Sequence, residues 1–338
     1  QYADTMGFVD PKDRERVTIT PTPATFLLHL NGLRPDALLI CNSKMFAADD
    51  YFRLKSPEPK PPTFTMDSNW LFGSQSSETL RHLAWADVYL INLPEKIFEL
   101  GLKQNGGDYT IPSKILSKIR VVGLLPSYAP NAAKLSTEIR TQYGISGSEK
   151  MVFVYGGSGV TTYFESLQHL FPAVKNLRDA GKKIRVLFVG DRTNVPPPYQ
   201  EAEWVHVREQ MEAKEFYQTL ASADLVYQHQ GLGTLTQAIA ASVPVISTVA
   251  NPIAQGPEHA HAWEVGPFAR AGACRMLYFD DSQATHQNSI KELLYDEPLR
   301  HQMKAAQAEL AGSGEKATYE IILASLSESN HDTNSITK

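Results

Sequence analysis

The chain has 338 residues, 42% hydrophobic and 20% charged, enough for two domains with their own cores. Its 32 basic against 37 acidic residues leave a formal net charge of −5, which argues against a nucleic-acid polyanion as the main ligand. The two cysteines, Cys41 and Cys274, lie far apart in apolar runs, and no apolar run approaches the roughly 18 residues of a membrane span. That usage argues against a disulfide framework or a cysteine-based zinc site and fits a reducing compartment. The N-terminus, Gln1-Tyr2-Ala3-Asp4-Thr5, has neither the pattern of a signal peptide nor a start methionine, and reads as beginning in mid-protein.

Apolar runs of strand length alternate with amphipathic stretches of helix length, the pattern of parallel βαβ units. The first strands are expected at 36–41, 62–66, 87–93 and 119–124, with helices at 24–33, 76–84 and 95–102. Prolines 57, 59, 61 and 62 force a loop there. Residues 125–130 read as a linker, followed by a helix over 131–143 that stops at Gly144. A second series then runs strand 151–155, helix 162–180, strand 184–190, strand 204–207, helix 214–221 and strand 224–229. Helix 234–242, strand 243–249, helix 258–271, strand 274–280 and two terminal helices complete it. The polar tail 329–338 is expected to be disordered.

Ligands of open parallel sheets gather at the C-terminal strand ends, and three segments of the second series reach that edge. Val154-Tyr155-Gly156-Gly157-Ser158-Gly159 runs from a strand into a glycine turn. Ala223-Asp224-Leu225-Val226-Tyr227-Gln228-His229-Gln230-Gly231-Leu232-Gly233-Thr234 does the same and opens a helix. Gln255-Gly256-Pro257-Glu258-His259-Ala260-His261-Ala262 follows the strand after it. Glycine turns let backbone N–H groups approach a ligand closely, and a helix N-terminus adds the positive end of its dipole. The combination points to an anion, most often a phosphate.

In that order and spacing, residues 156–277 resemble the C-terminal donor-binding domain of GT-B glycosyltransferases, especially the MurG-like branch and its UDP-glycosyltransferase relatives. The likeness rests on Gly156-Gly157-Ser158-Gly159, Ala223-Asp224-Leu225-Val226, Gly231-Leu232-Gly233-Thr234, Val243-Pro244-Val245-Ile246 and Gly272-Ala273. It implies an α/β protein of two doubly wound, Rossmann-like domains facing a cleft. The acceptor-side domain would occupy 1–126, and the donor-binding domain, ending in a terminal helix, 127–328. Around Glu315–Leu326 that helix would cross back onto the first domain. The family's first strand and glycine-rich loop have no counterpart before Asp36, so the first domain is expected to lack its first strand. Three readings follow: the segment lies outside this sequence, it is received from elsewhere, or the protein is not a transferase.

The resemblance assigns donor binding to Gly157, Ser158, Gly159, Gln210, Met211, His229, Gly231, Gly233, Thr234, Gln237, Glu258 and His259. Gln210 and Met211 stand where the family holds the base by backbone groups. Two departures from the pattern matter. Gln237 replaces the glutamate that accepts both ribose hydroxyls, exchanging one acceptor for a donor. Glu258 and His261 stand where the family has a sugar-contacting glutamine and asparagine, so the sugar could differ from N-acetylglucosamine.

The acceptor needs a general base from the first domain, and Asp67, ending a strand, is the candidate beside its plainer reading as a turn cap. His259 and His261 point roughly 200° apart on a helix and cannot share one ion. Asp49-Asp50 and Asp280-Asp281 read as turn acids. No metal and no cofactor are implied. The expected activity is metal-independent transfer of a sugar from a UDP-sugar donor to an acceptor, by a cytoplasmic protein. A peripheral membrane contact and a partner subunit are left open. The rivals are an epimerase or hydrolase acting on the donor, and a catalytically silent nucleotide-sugar-binding subunit.

Overall fold

The structure, a computed structural model, describes residues 37–41, 62–67, 86–103, 113–125, 132–156, 164–251, 261–312 and 314–335. The chain divides into two compact units, Gln1–Ser127 with Gly312–Lys338, and Tyr128–Ala311. Both are built on parallel sheets flanked by helices. The helices expected at 24–33 and 76–84, and any strand before Asp36, lie outside the described residues.

In the first unit four parallel strands pair in chain order: β1 (Leu38–Cys41), β2 (Thr63–Asp67), β3 (Val88–Ile91) and β4 (Ile119–Val121). Parallel neighbours need crossovers, and β3 returns to β4 through α1 (Glu95–Leu102) and the short α2 (Ser113–Leu116). Helix α1 buries Ile97, Phe98 and Gly101, an i, i+1, i+4 stripe on one face. The strand edge is pinned by polar contacts: Thr63 N–H donates to Asp87 Oδ2 at 2.9 Å, and Lys118 Nζ donates to the Ala86 carbonyl at 2.7 Å.

The second unit opens with α3 (Ala132–Gln142) and alternates β5 (Lys150–Tyr155), α4 (Phe164–Asp179), β6 (Ile184–Val189), β7 (Val205–Arg208) and α5 (Ala213–Ala221). It continues through β8 (Leu225–His229), α6 (Leu232–Ala240), β9 (Val245–Val249), α7 (His261–Arg270) and β10 (Arg275–Tyr278) to α8 (Gln283–Tyr295) and α9 (Glu297–Leu310). The six strands are parallel in the order β10-β9-β8-β5-β6-β7. One face carries Val152, Val154, Val186, Phe188, Leu225, Tyr227 and Ile246, packed with Leu167, Leu170, Phe171, Ile290 and Leu293 of α4 and α8. Phe153 points to the other face, where Phe216 of α5 meets its ring edge-on at 5.1 Å. Burial on both faces explains why these strands read as unbroken apolar runs.

The last helix, α10 (Gly314–Ser335), belongs with the first unit. Its Ala317, Ile321 and Ile322 pack against Phe64, Leu90 and Val122. Gly314 N–H donates to the Leu124 carbonyl at 3.0 Å, and a Cβ on Gly314 would fall 2.6 Å from that oxygen. Only glycine permits this approach. Three helices, not two, therefore follow β10. Asp296 ends α8 and also caps α9, accepting from Leu299 N–H at 3.0 Å, with Pro298 inside the first turn. Helix α10 runs on to Ser335, and no glycine or proline follows Gly314 to stop it. Among the described residues, no helix is long and apolar enough to cross a membrane.

Candidate functional site

The strand order of the second sheet reverses between β5 and β8. Such a switch point opens a crevice, because the connections from the two strands leave in opposite directions. Tyr155 of β5 lies in register with Gln228 of β8. The chain therefore leaves β5 into Gly156 and leaves β8 into Gln230-Gly231 at one edge of the sheet. Gly157, Ser158 and Gly159, and Glu258 and His259 of the third segment, lie outside the described residues.

Helix α6 starts at Leu232, two residues earlier than expected from sequence. Gly231 is its N-cap with φ 94°, a conformation costly for a side-chain-bearing residue, and it supplies no capping side chain. Gly233 and Thr234 are thus first-turn helix residues, not the turn itself. The N–H groups of Leu232, Gly233 and Thr234 are among the four that an α-helix cannot satisfy internally. Among the described residues, a Cβ on Gly231 or Gly233 would meet nothing within 4 Å. Gly233 is exposed and Thr234 half-buried.

A buried polar network fixes this turn. Gln228, fully buried in β8, donates from Nε2 to the Gly231 carbonyl at 3.2 Å and to Ser247 Oγ at 2.9 Å. Thr248 Oγ1 donates to the Gln228 carbonyl at 3.1 Å, and Gln230 N–H donates to the Thr248 carbonyl at 2.8 Å. Sequence reasoning missed Gln228, Ser247 and Thr248. The signal was present as polar residues inside two otherwise apolar buried strands, where each must find a partner. Gln228 Oε1 and Gln230 Oε1 are buried without a hydrogen-bond partner among the described residues.

His229 ends β8 beside the turn, buried, with its ring stacked on Phe279 at 5.0 Å. Gln237 sits one turn further along α6 and is also buried. Exposed Gln210 and half-buried Met211 follow β7, two strands from β5 at the same sheet edge. Asp67 ends β2 in the first unit, in register with Ile91. Asp281 accepts from Tyr278 N–H at 2.7 Å, as a turn acid does. Cys274 is a buried free thiol that burial pushes up to about 12, which makes it inert. Among the described residues, no group of three or more His, Cys, Asp or Glu side chains could hold a metal ion.

Comparison with known proteins agrees with this architecture. Residues 117–276 match a family of unknown function (DUF6365). No curated protein matches the sequence. Among solved structures, the UDP-GlcNAc 2-epimerase of Neisseria meningitidis bound to UDP-GlcNAc is similar, with TM-score 0.63 and 13% identity, over 89% of this chain and 80% of that one. Arabidopsis thaliana UGT89C1 complexed with UDP gives TM-score 0.62 and 13% identity, over 90% and 76%. MurG of Acinetobacter baumannii gives 0.57 and 14%, over 89% and 77%. The chain has the GT-B fold that these proteins share.

Proposed function

We propose that the protein binds a UDP-linked sugar at the ends of β5 and β8 and transfers the sugar to an acceptor hydroxyl. The observation that carries this is the switch point itself: a glycine-capped helix begins there, no described side chain or backbone crowds its first-turn glycines, and its turn is held by buried hydrogen bonds. In this reading the first-turn amides of α6 take the β-phosphate, and the same amides stabilise the charge that develops as diphosphate leaves. Met211 and Gln210 hold the base, Gln237 reaches the ribose, and His229, Glu258 and His259 stand on the sugar side. Asp67 is the proposed general base. Support for UDP comes from the structural neighbours solved with UDP or UDP-GlcNAc.

The test is titration of nucleotide sugars by calorimetry and melting, on the wild type and on Gly233→Asp. The substitution fits sterically, and an acid in the first turn favours the helix. It sets a negative charge against the diphosphate, however. The expected outcome is stabilisation of the wild type by a UDP-sugar and loss of that response in a folded Gly233→Asp. No response from the wild type, or equal binding by the variant, overturns the reading.

Similarity to a UDP-GlcNAc 2-epimerase favours one rival, an enzyme that acts on the donor alone. Incubation with UDP-sugar and no acceptor separates the two: conversion to an epimer favours the rival, and turnover only with acceptor favours transfer.

A further inference from the structure

The N-terminal end of the second sheet, opposite the edge that carries the donor turn, holds a cluster of charges that sugar transfer does not use. At its centre is Asp224, the residue before β8. Its carboxylate accepts from Met151 N–H at 2.9 Å, Arg140 Nη1 at 2.9 Å and Lys150 Nζ at 3.1 Å, with Arg300 Nη2 at 4.0 Å. Burial pushes this carboxyl up, but Met151 N–H, Arg140 and Lys150 together hold it below its usual range. Lys304 lies one helical turn beyond Arg300 on α9. Burial, then the charges of Arg300 and Lys150, lower its ammonium, with Asp224 offsetting part of this.

Among the described residues, three cations thus lie within 4.0 Å of one carboxylate, and Lys304 stands one helical turn from the third. The neighbouring acid, Glu149, directs its carboxylate to Arg185 at 3.2 Å and Arg178 at 3.9 Å, giving Arg140 only its backbone carbonyl. Strong donors are also unused. Arg300 Nε and Tyr295 Oη are buried and have no hydrogen-bond partner among the described residues. Tyr295 lines a surface hollow of about 360 Å³ with Asn288, Lys291, Glu292 and Asp296, and Glu292 is itself engaged by Arg275 at 3.1 Å. A partly buried surplus of like charge repels itself, and an unpaired buried donor forfeits the hydrogen bond it had with water. Both faults are cured by one kind of ligand.

We propose that Arg300, Lys304, Lys150 and Tyr295 form a second, oxyanion-binding site for a phosphate-type dianion, separate from the donor turn. Guanidinium forks and ammonium groups suit tetrahedral oxyanions. A dianion removes most of the surplus charge, whereas chloride leaves most of it in place. The source is either free phosphate or a phosphomonoester.

The proposal is independent of the sugar-transfer reading and is tested on the full chain. Melting is followed in inorganic phosphate, in glycerol 1-phosphate and in sodium chloride, all at equal ionic strength. Because phosphate can also enter the donor turn, wild type is compared with Gly233→Asp and with Lys304→Gln, a half-buried position whose loss relieves repulsion. Calorimetry on the wild type supplies the affinity should a variant fold poorly. The expected result is stabilisation by phosphate over chloride in the wild type and in Gly233→Asp, weakened about tenfold in Lys304→Gln. Stronger stabilisation by free phosphate assigns the free ion, and equal or stronger stabilisation by the ester assigns a monoester. No gain over chloride in the wild type, or a gain that survives Lys304→Gln and disappears in Gly233→Asp, overturns the proposal.

Discussion

At Ser242 the chain leaves α6 with φ 54°, the one side-chain-bearing residue with a left-handed backbone among those described. Its N–H bonds the Ile239 carbonyl at 3.0 Å, and the next N–H, of Val243, bonds Ala238 at 2.9 Å, as helix-ending turns do. Serine bears a steric cost there that glycine does not, so Ser242→Gly should raise stability by about 1 kcal/mol, read from urea midpoints. A second residue-scale effect comes from His286. It is fully buried, with Nδ1 2.8 Å from Tyr227 Oη and its ring stacked on His169 at 5.0 Å. Burial first, then His169, lower its pKa from 6.5 to about 4. A histidine depressed in the fold favours the unfolded chain once that chain can take a proton. Stability is therefore complete above pH 6.5 and is lost as pH falls toward 4, by up to about 3 kcal/mol. His206, lowered by burial and then by Arg185, acts in the same direction. Melting between pH 7.5 and 4.5 checks this, and His286→Gln should flatten the profile.

Among the elements, the proposed function rests on the join of β8, α6 and β9, where Gln228 ties a strand to the turn and to its neighbour. Gln228→Leu leaves the Gly231 carbonyl and Ser247 without that donor and should cost about 1–3 kcal/mol of stability. It should also weaken UDP binding by roughly tenfold, since a loosened turn no longer holds its amides together. Paired urea and calorimetric titrations separate the two effects, and unchanged UDP affinity would show that the turn holds its shape without Gln228. Much of this level was legible in the sequence. Helix α1 falls on residues 95–102 as expected, because Pro94 marks its start and its apolar stripe is unambiguous. The helix start at Leu232 was not legible. Gly-Leu-Gly reads as a turn, and only the backbone reveals that Gly231 alone takes positive φ while Gly233 is already helical. Nor was the pairing of Gln228 with Ser247, since a single chain records which residues are polar but not which strands lie side by side.

For the molecule as a whole, alternation of apolar runs was enough to indicate parallel sheets, and the GT-B fold was indicated by the resemblance of residues 156–277 to a known donor-binding domain. The return of the last helix to the first unit was expected from the resemblance alone, because Ala317, Ile321 and Ile322 by themselves would suit any apolar face. Its packing sets an asymmetry between the units. All six described strands of that sheet lie within Tyr128–Ala311, so that segment alone should melt cooperatively and, if the proposed function holds, respond to UDP-sugar as the full chain should. A chain truncated after Ala311 should keep that sheet but lose the cover over Phe64, Leu90 and Val122, and limited proteolysis should then digest its first part selectively.

The hydrogen bond from Gly314 to Leu124 puts the departure and the return of the backbone side by side. The six-stranded unit is therefore a cassette spliced into its host through two adjacent seams. Exchanging it whole for that of another GT-B protein calls for a graft whose own ends meet at the same spacing, and Gly314 is the stitch that must not be altered in doing so.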